Sequence, residues 1–280
     1  MTWSIVCDSS CDLNPAVLIP GKLTLQVIPL TITVEETHYI DDEHLDPAQM
    51  LHHMAASAGP TSTACPSPAA FAEAFRQADC SLCFTISGNL SGTYASAVTA
   101  REMVLEESPE KKIFVLDARS TAGSLILLTR QARALLEAGE ERFERICKAL
   151  QDYRDGMRTV FTLENFDNLV KNGRMRPLLG SLLHTLGIHV IAEGTREGTI
   201  RVVDKARGEA RTIKALLHQM QLQKECRDAD VVISHCQNLD GAAKLRQAIQ
   251  QRLPVRSVST MSGRGLNSFY AMDKGLILVF

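Results

Sequence analysis

The chain reads as a two-domain α/β protein, and three observations predict it. At 280 residues it is about twice a typical single-domain length. Through the first half, short apolar runs bounded by turn residues alternate with helix-length stretches, the pattern of buried parallel strands. In the second half the texture changes: residues 192–199, AEGTREGT, read as a hairpin turn between two strand-like runs, so antiparallel pairing mixes with helices there. The expectation is an N-terminal, mostly parallel sheet with flanking helices over 1–156, followed by a C-terminal mixed α/β domain over 157–280. The first domain should supply strands at 4–8, 25–34, 81–86 and 112–116 and helices at 47–57, 68–77, 93–106 and 121–138. Ser67 is placed to cap the second of these helices, with Pro68 in its first turn. A helix over 141–155 leads into the second domain. That domain has strands expected at 159–162, 188–192, 199–203, 231–235, 255–260 and 276–280, and helices near 166–172, 208–222 and 241–251. No linker of low complexity separates the two parts, so they should pack directly and leave a cleft between them as the natural ligand site.

Composition narrows the function. Hydrophobic residues make up 45% and charged residues 22%, enough for a packed core and inconsistent with a disordered chain. The opening MTWSIVCDSSCDL has no basic start followed by a long apolar run, and no stretch approaches eighteen uninterrupted apolar residues. The expectation is a cytoplasmic protein without stable membrane insertion. Eight cysteines include one CxxC, Cys80 and Cys83, but this pair falls on an expected buried strand and no second pair completes a zinc set, so reduced thiols and no metal are expected. Net charge is −2, yet residues 171–211 carry eight Lys or Arg against four acids. Such a stripe suits an acidic protein surface, a phosphorylated ligand or nucleic acid. The segment contains no aromatic residue, which removes base stacking and argues against nucleic acid.

The most informative segment is 86–97, ISGNLSGTYASA, where an apolar strand ends, two glycines and several hydroxyls turn the chain, and a small-residue helix begins at about Gly92. A helix N-terminus leaves backbone N–H groups unpaired, and with Ser87, Ser91 and Thr93 beside them such a turn suits an anionic head group. An ordinary capped helix would also use these residue types. Asp8-Ser9-Ser10 and the run 117–121 form two further hydroxyl-rich turns after expected strands, and ligands bind at the carboxyl ends of strands in open parallel sheets. A second hydroxyl cluster, Thr61-Ser62-Thr63, precedes the Cys65-Pro66-Ser67-Pro68 turn, and turn chemistry alone does not explain it. The chain lacks GxxxxGK[ST], GxSxG and HExxH, so no catalytic constellation is legible. A hydrolase or transferase acting on a small anionic acyl or phosphate ester through one of these loops is the enzymatic alternative.

Taken together, IVCDSSCDL, VIPL at 27–30, Tyr39 with Asp41, TACPSP at 63–68, ISGNLSGTYASA, LVKNGRM at 169–175 and KARGEA at 205–210 resemble the DegV family of bacterial fatty-acid-binding proteins over nearly the whole chain. The resemblance implies two α/β domains enclosing a long-chain fatty acid, whose carboxylate is presented to a fatty acid kinase. It implies binding rather than catalysis, and no cofactor beyond the bound acid. Carried over by residue, Thr63 is similar to the family's carboxylate-binding threonine, Ser91 to its serine, with the Gly92 N–H alongside. Arg174 matches the arginine of a KGGR stretch, here KNGR. Three departures stand out: Ser87-Gly88 where two serines are common, IHVI at 188–191 in place of IKPI, and MSGRG at 261–265 where a histidine often precedes a GPG turn. Loss of that histidine is expected to remove a polar partner near the head group, and His189 is expected to be a core residue.

Overall fold

In the computed structural model, residues 1–13, 23–163, 166–175 and 187–280 are described. Strand β1 (Trp3–Asp8), with every residue buried, pairs in parallel with β2 (Leu23–Ile28). The apolar run expected to continue to residue 34 breaks instead. Pro29 has no N–H to give a ladder, and the chain leaves the first sheet to form β3 (Thr31–Val34), which hairpins through Glu35, at φ 54°, into β4 (Thr37–Ile40). Helix α1 (Pro47–Ala56) starts on Asp46, whose carboxylate accepts from Ala48 N and Gln49 N. The hydroxyl run then forms β5 (Thr61–Ala64) on the other edge of β3, so a three-stranded antiparallel sheet in the order β4-β3-β5 accounts for a cluster the sequence left unexplained.

Helix α2 (Pro68–Arg76) is capped as expected, with Ser67 Oγ accepting from Ala70 N. Strand β6 (Cys80–Thr85), helix α3 (Thr93–Glu107) and strand β7 (Lys112–Asp117) complete a parallel four-stranded sheet in the order β2-β1-β6-β7. Helix α4 (Gly123–Glu137) is apolar around most of its first half because it is a wedge between two cores. Leu125, Leu128 and Ala132 pack with Ile5 and Leu82 of the first sheet, while Ile126 and Leu127 pack with Val232 and Val279 of the next. At Gly123 a Cβ would lie 2.8 Å from Val232 Cβ, so the wedge fits only with glycine.

After α5 (Phe143–Gly156), strand β8 (Thr159–Leu163) and the short α6 (Asp167–Lys171) open the second α/β part. The hairpin expected at 192–199 joins β9 (Ile188–Gly194) to β10 (Ile200–Arg207). Helix α7 (Glu209–Gln223), strand β11 (Asp230–His235), helix α8 (Leu239–Arg252) and strand β12 (Ser257–Ser262) follow, then α9 (Gly265–Ala271) and β13 (Leu276–Val279). The sheet order is β10-β9-β8-β13-β11-β12, antiparallel except for β11 with β12. The mixed pairing is as expected; α9 was not foreseen. It lies where the parts meet, with Phe269 packed on Ile32 and Met50, Leu266 on Leu30 and Ile86, and Ala271 in the cluster of Phe161 and Ile277.

Candidate functional site

Strands β1, β6 and β7 are adjacent and parallel, so the three hydroxyl-rich turns that follow them lie side by side. Backbone and side-chain bonds tie them together. Ser87 N donates to Ser120 O at 2.9 Å, and Ala122 N to Ser10 O at 2.9 Å. The fully buried Asp8 carboxylate accepts from Ser10 N at 3.0 Å and Ile86 N at 2.6 Å. Burial pushes Asp8 up to about 6 against the pull of those hydrogen bonds.

Within the loop after β6, the hydroxyls divide into two roles. Ser87 Oγ donates to Gly198 O at 2.7 Å and Asn89 Nδ2 to Glu197 O at 2.5 Å, which pins the β9–β10 hairpin to this loop. Ser87 is therefore a strut between the two halves. Ser91 Oγ lies 2.8 Å from Thr93 Oγ1 and accepts from Thr93 N at 3.3 Å, on the half-buried lip of the loop. Gly92 precedes α3 as its N-cap, with no side-chain cap of its own, and a Cβ there would come within 3.3 Å of Cys65 Sγ.

Below this loop lies a cavity with about 810 Å³ of free space, its open mouth included. Thr63, Ser91 and Arg174 all line it, whereas Gly92 flanks Ser91 without contributing to the wall. Thr63 Oγ1 is 3.0 Å from the Tyr270 hydroxyl. Arg174 donates from Nε to Leu90 O at 3.0 Å and from its guanidinium to Asn172 O, which holds it beside the loop. The walls are apolar. Thr159, Phe161 and Leu163 alternate along β8 and face in, while Val160 turns to the opposite core. Ile86, Leu266, Ile277 and Ile200 complete much of the lining. The four-residue step from Leu163, near Leu169 and Arg174, to Thr159, near Ser120, spans about 13 Å at a strand's rise per residue.

Two expectations are corrected by position. The MSGRG segment does not line the cavity: Met261 packs with Ile126, Leu127, Val232 and Val279, and Arg264 N donates to Asp12 Oδ1 at 2.8 Å. The polar group beside Thr63 comes instead from Tyr270 on α9, which sequence reasoning missed. A seven-residue helix offers too little periodicity to declare which side chain faces a cavity. Asn267, also on the wall, was missed for the same reason; its Nδ2 donates to Ser10 O and Asp12 Oδ1, and its Oδ1 accepts from Thr121 Oγ1. His189 sits opposite Ala206 in the β9–β10 ladder, half-buried and away from the cavity wall. Cys80 and Cys83 are buried on β6, and burial raises both thiols. Of the basic stripe at 171–211, Arg176 lies outside the described residues.

A family model described as "Uncharacterised protein, DegV family" matches residues 2–268. The chain belongs to the DegV family. A DegV domain-containing protein of Streptococcus pyogenes serotype M1 is 35% identical over 278 residues, covering 99% of each chain. Among solved structures, the DegV family protein from Eubacterium eligens loaded with heptadecanoic acid superposes with a TM-score of 0.93 at 32% identity, over 99% of both chains. The Streptococcus pneumoniae fatty acid kinase B3 protein loaded with linoleic acid gives 0.95 at 32% identity, over 100% of this chain and 99% of that one. The two-domain α/β fold is thus that of DegV proteins. Among the described residues no helix is long and apolar enough to cross a membrane.

Proposed function

We propose that this chain binds a long-chain fatty acid in the cavity and presents its carboxylate to a fatty acid kinase. The observation that carries the reading is that Thr63, Ser91 and Arg174, drawn from three distant stretches of sequence, line one cavity whose exposed wall is mostly apolar. The acyl chain lies along Leu163, Phe161 and Thr159, and the carboxylate meets Thr63, Ser91 and the Tyr270 hydroxyl at the lip that Gly92 flanks. Burying about fourteen methylenes at roughly 0.8 kcal/mol each supplies on the order of 11 kcal/mol before the costs of association. The tail sets affinity. A carboxylate leaving water needs several hydrogen bonds to offset desolvation, so the hydroxyls and amides set orientation. Thr63, Leu90, Ser91 and Arg174 are all half-buried, which leaves the head group within reach of a partner. The basic stripe from Lys171 is the face that partner would meet.

The two solved relatives loaded with fatty acids support this reading, the second being a fatty acid kinase component by its description. We read the chain as a non-catalytic, cytoplasmic binding protein that needs no cofactor, divided near residue 156. Ser91 has Thr93 as its side-chain partner, and among the described residues lining the cavity there is no histidine beside it to act as a base. The test is to purify the protein from a bacterial host, extract it with solvent and identify bound acids by mass spectrometry. About one acid per chain is expected in the wild type and a sharp loss in Thr63→Ala/Ser91→Ala. A wild-type protein free of lipid and unable to take up an added fatty acid would sink the proposal.

A further inference from the structure

Behind the inner end of the acyl cavity is a second concavity that the acyl reading does not use. It holds about 430 Å³ of free space, its open mouth included, and shares Arg119, Ser120, Thr159 and Gly194 with the first cavity as a common wall. Four guanidinium groups line it, from Arg119 after β7, Arg154 in the last turn of α5, Arg158 just before β8 and Arg196 in the β9–β10 hairpin. Among the described residues that line it they face one carboxylate, Asp155, so this lining carries a net charge of +3.

The arrangement is held by the backbone. Arg154 donates to Asp117 O at 2.5 Å and to Asp155 Oδ1 at 2.8 Å. Arg158 donates to Asp155 O at 2.9 Å, and its own backbone is fixed by reciprocal bonds with Phe280 at 2.8 and 3.0 Å. Arg196 reaches the same Asp155 O at 3.2 Å, and Arg119 Nη1 is 3.5 Å from Asp155 Oδ1. Two cations thus converge on one carbonyl and two on one carboxylate oxygen. Arg158 is pulled below its usual range by burial and by the positive charge of Arg196, and Lys224, which donates to Gly156 O at 3.1 Å, is lowered by burial and by Arg158. Two further acids lie close by: Glu197, fully exposed, near Arg119 and Arg196, and Asp117, whose Oδ1 accepts from Arg119 N at 2.7 Å. Like charges crowded in a concave site repel one another unless an anion joins them, and guanidinium forks match the tetrahedral oxygens of a phosphate.

We propose that this cleft is a second ligand site, for a phosphate dianion, free or as a monoester, bound by Arg119, Arg154, Arg158 and Arg196 on the other side of the wall formed by Ser120 and Thr159. The site stands apart from the acyl reading and does not depend on it. Titration calorimetry of the full chain with inorganic phosphate and with pyrophosphate, at an ionic strength held constant with chloride, tests it. Saturable binding is expected, weakened about tenfold or more in Arg158→Gln/Arg196→Gln, which removes two charge-assisted partners. Asp155→Asn, which removes the competing carboxylate, should tighten it severalfold. The extracted lipid content should not change in either variant. Should the double variant fail to fold, the single Arg196→Gln on the exposed hairpin gives the same comparison. Heat no greater than with chloride alone, or an affinity indifferent to both the arginine and the Asp155 changes, would overturn the proposal.

Discussion

Replacing Tyr270 by Phe isolates one atom of the proposed head-group site. The ring packs edge-on against Phe269, with centroids 4.8 Å apart and planes at 87°, and against Leu30, Ile86 and Leu266. A phenylalanine keeps that packing. The substitution removes the hydroxyl 3.0 Å from Thr63 Oγ1 and nothing else. Without ligand, this costs one neutral hydrogen bond in a half-buried place, about 1 kcal/mol of stability. With a fatty acid bound, the hydroxyl donates to a carboxylate, and a hydrogen bond to a charged group contributes about 1.5–3 kcal/mol. The dissociation constant should therefore rise by the difference between the two losses, about 0.5–2 kcal/mol, or roughly twofold to thirtyfold. Displacement of a fluorescent fatty acid from delipidated protein measures this. A long-chain alcohol of the same length, lacking the charge, serves as the comparison and should lose much less. An unchanged constant for the acid, or an equal loss for acid and alcohol, would refute the placement of the carboxylate beside Thr63 and Tyr270.

Three other outcomes follow from the geometry. Ile200→Trp, at the Thr159 end of the cavity, should shift the extracted acids toward shorter chains in the mass spectrum while leaving head-group binding intact. Gly198→Ala should destabilise by about 2–4 kcal/mol in urea unfolding, because its φ is +80° and the new Cβ would fall 2.2 Å from Ser87 Oγ and 3.0 Å from Arg119 Cα; Gly208→Ala, at φ +79° with open space around it, should cost only about 1 kcal/mol. Asp8 and Asp12 are each raised to about 6, chiefly by burial, from an ordinary value of 3.8, so between those limits the folded chain holds protons that the unfolded chain has released. Stability from these two groups is then highest below pH 4 and falls as pH rises through 6, by about 3 kcal/mol each, and Asp12→Asn should remove about half of that fall in urea midpoints measured across the window.

Much of this architecture was legible because local signals and tertiary fate agreed. Strands β1, β6 and β7 are short apolar runs buried in a parallel sheet, Ser67-Pro68 starts α2, and Gly198 turns the hairpin between β9 and β10. The failures have physical causes. The run 25–34, LQVIPLTITV, reads as strand on both sides of Pro29, so nothing but that proline marked the change from one sheet to another. Strands β4 and β5, THYI and TSTA, are four residues long and largely polar, and they exist because β3 offers them edges. Thr63 and Ser91 were singled out from the family resemblance, and the fold places both on one cavity wall. Tyr270 carried no signal of its own, since one tyrosine in a short apolar helix is indistinguishable from core until its neighbours are known.

How a ligand enters is constrained by what fastens α9. This helix contributes Leu266, Asn267, Tyr270 and Ala271 to the cavity wall, yet its N-terminus is gripped by carboxylates from the opposite end of the chain. Asp41 accepts from Gly265 N at 2.8 Å and Leu266 N at 3.0 Å, Asp12 accepts from Arg264 N at 2.8 Å, and Asn267 Nδ2 reaches Ser10 O and Asp12 Oδ1 at 2.8 and 2.9 Å. These groups are buried, so pulling the halves apart would break several bonds to carboxylates at about 1.5–3 kcal/mol each. That sum is comparable to the entire stability of a domain. Separation of the two parts is therefore too costly to serve as the loading motion. The lip of the cavity is held by fewer ties, the neutral Thr63–Tyr270 pair and the single bond from Arg174 Nε to Leu90 O, and an arriving carboxylate can replace the first of these with stronger bonds of its own. Exchange of bound acid should accordingly quicken in Tyr270→Phe, followed by stopped-flow release of a fluorescent acid. Asp41→Asn should lower the unfolding midpoint and leave the release rate of the folded protein nearly unchanged; a release rate that rose with Asp41→Asn and ignored Tyr270→Phe would mean that the halves do part to load.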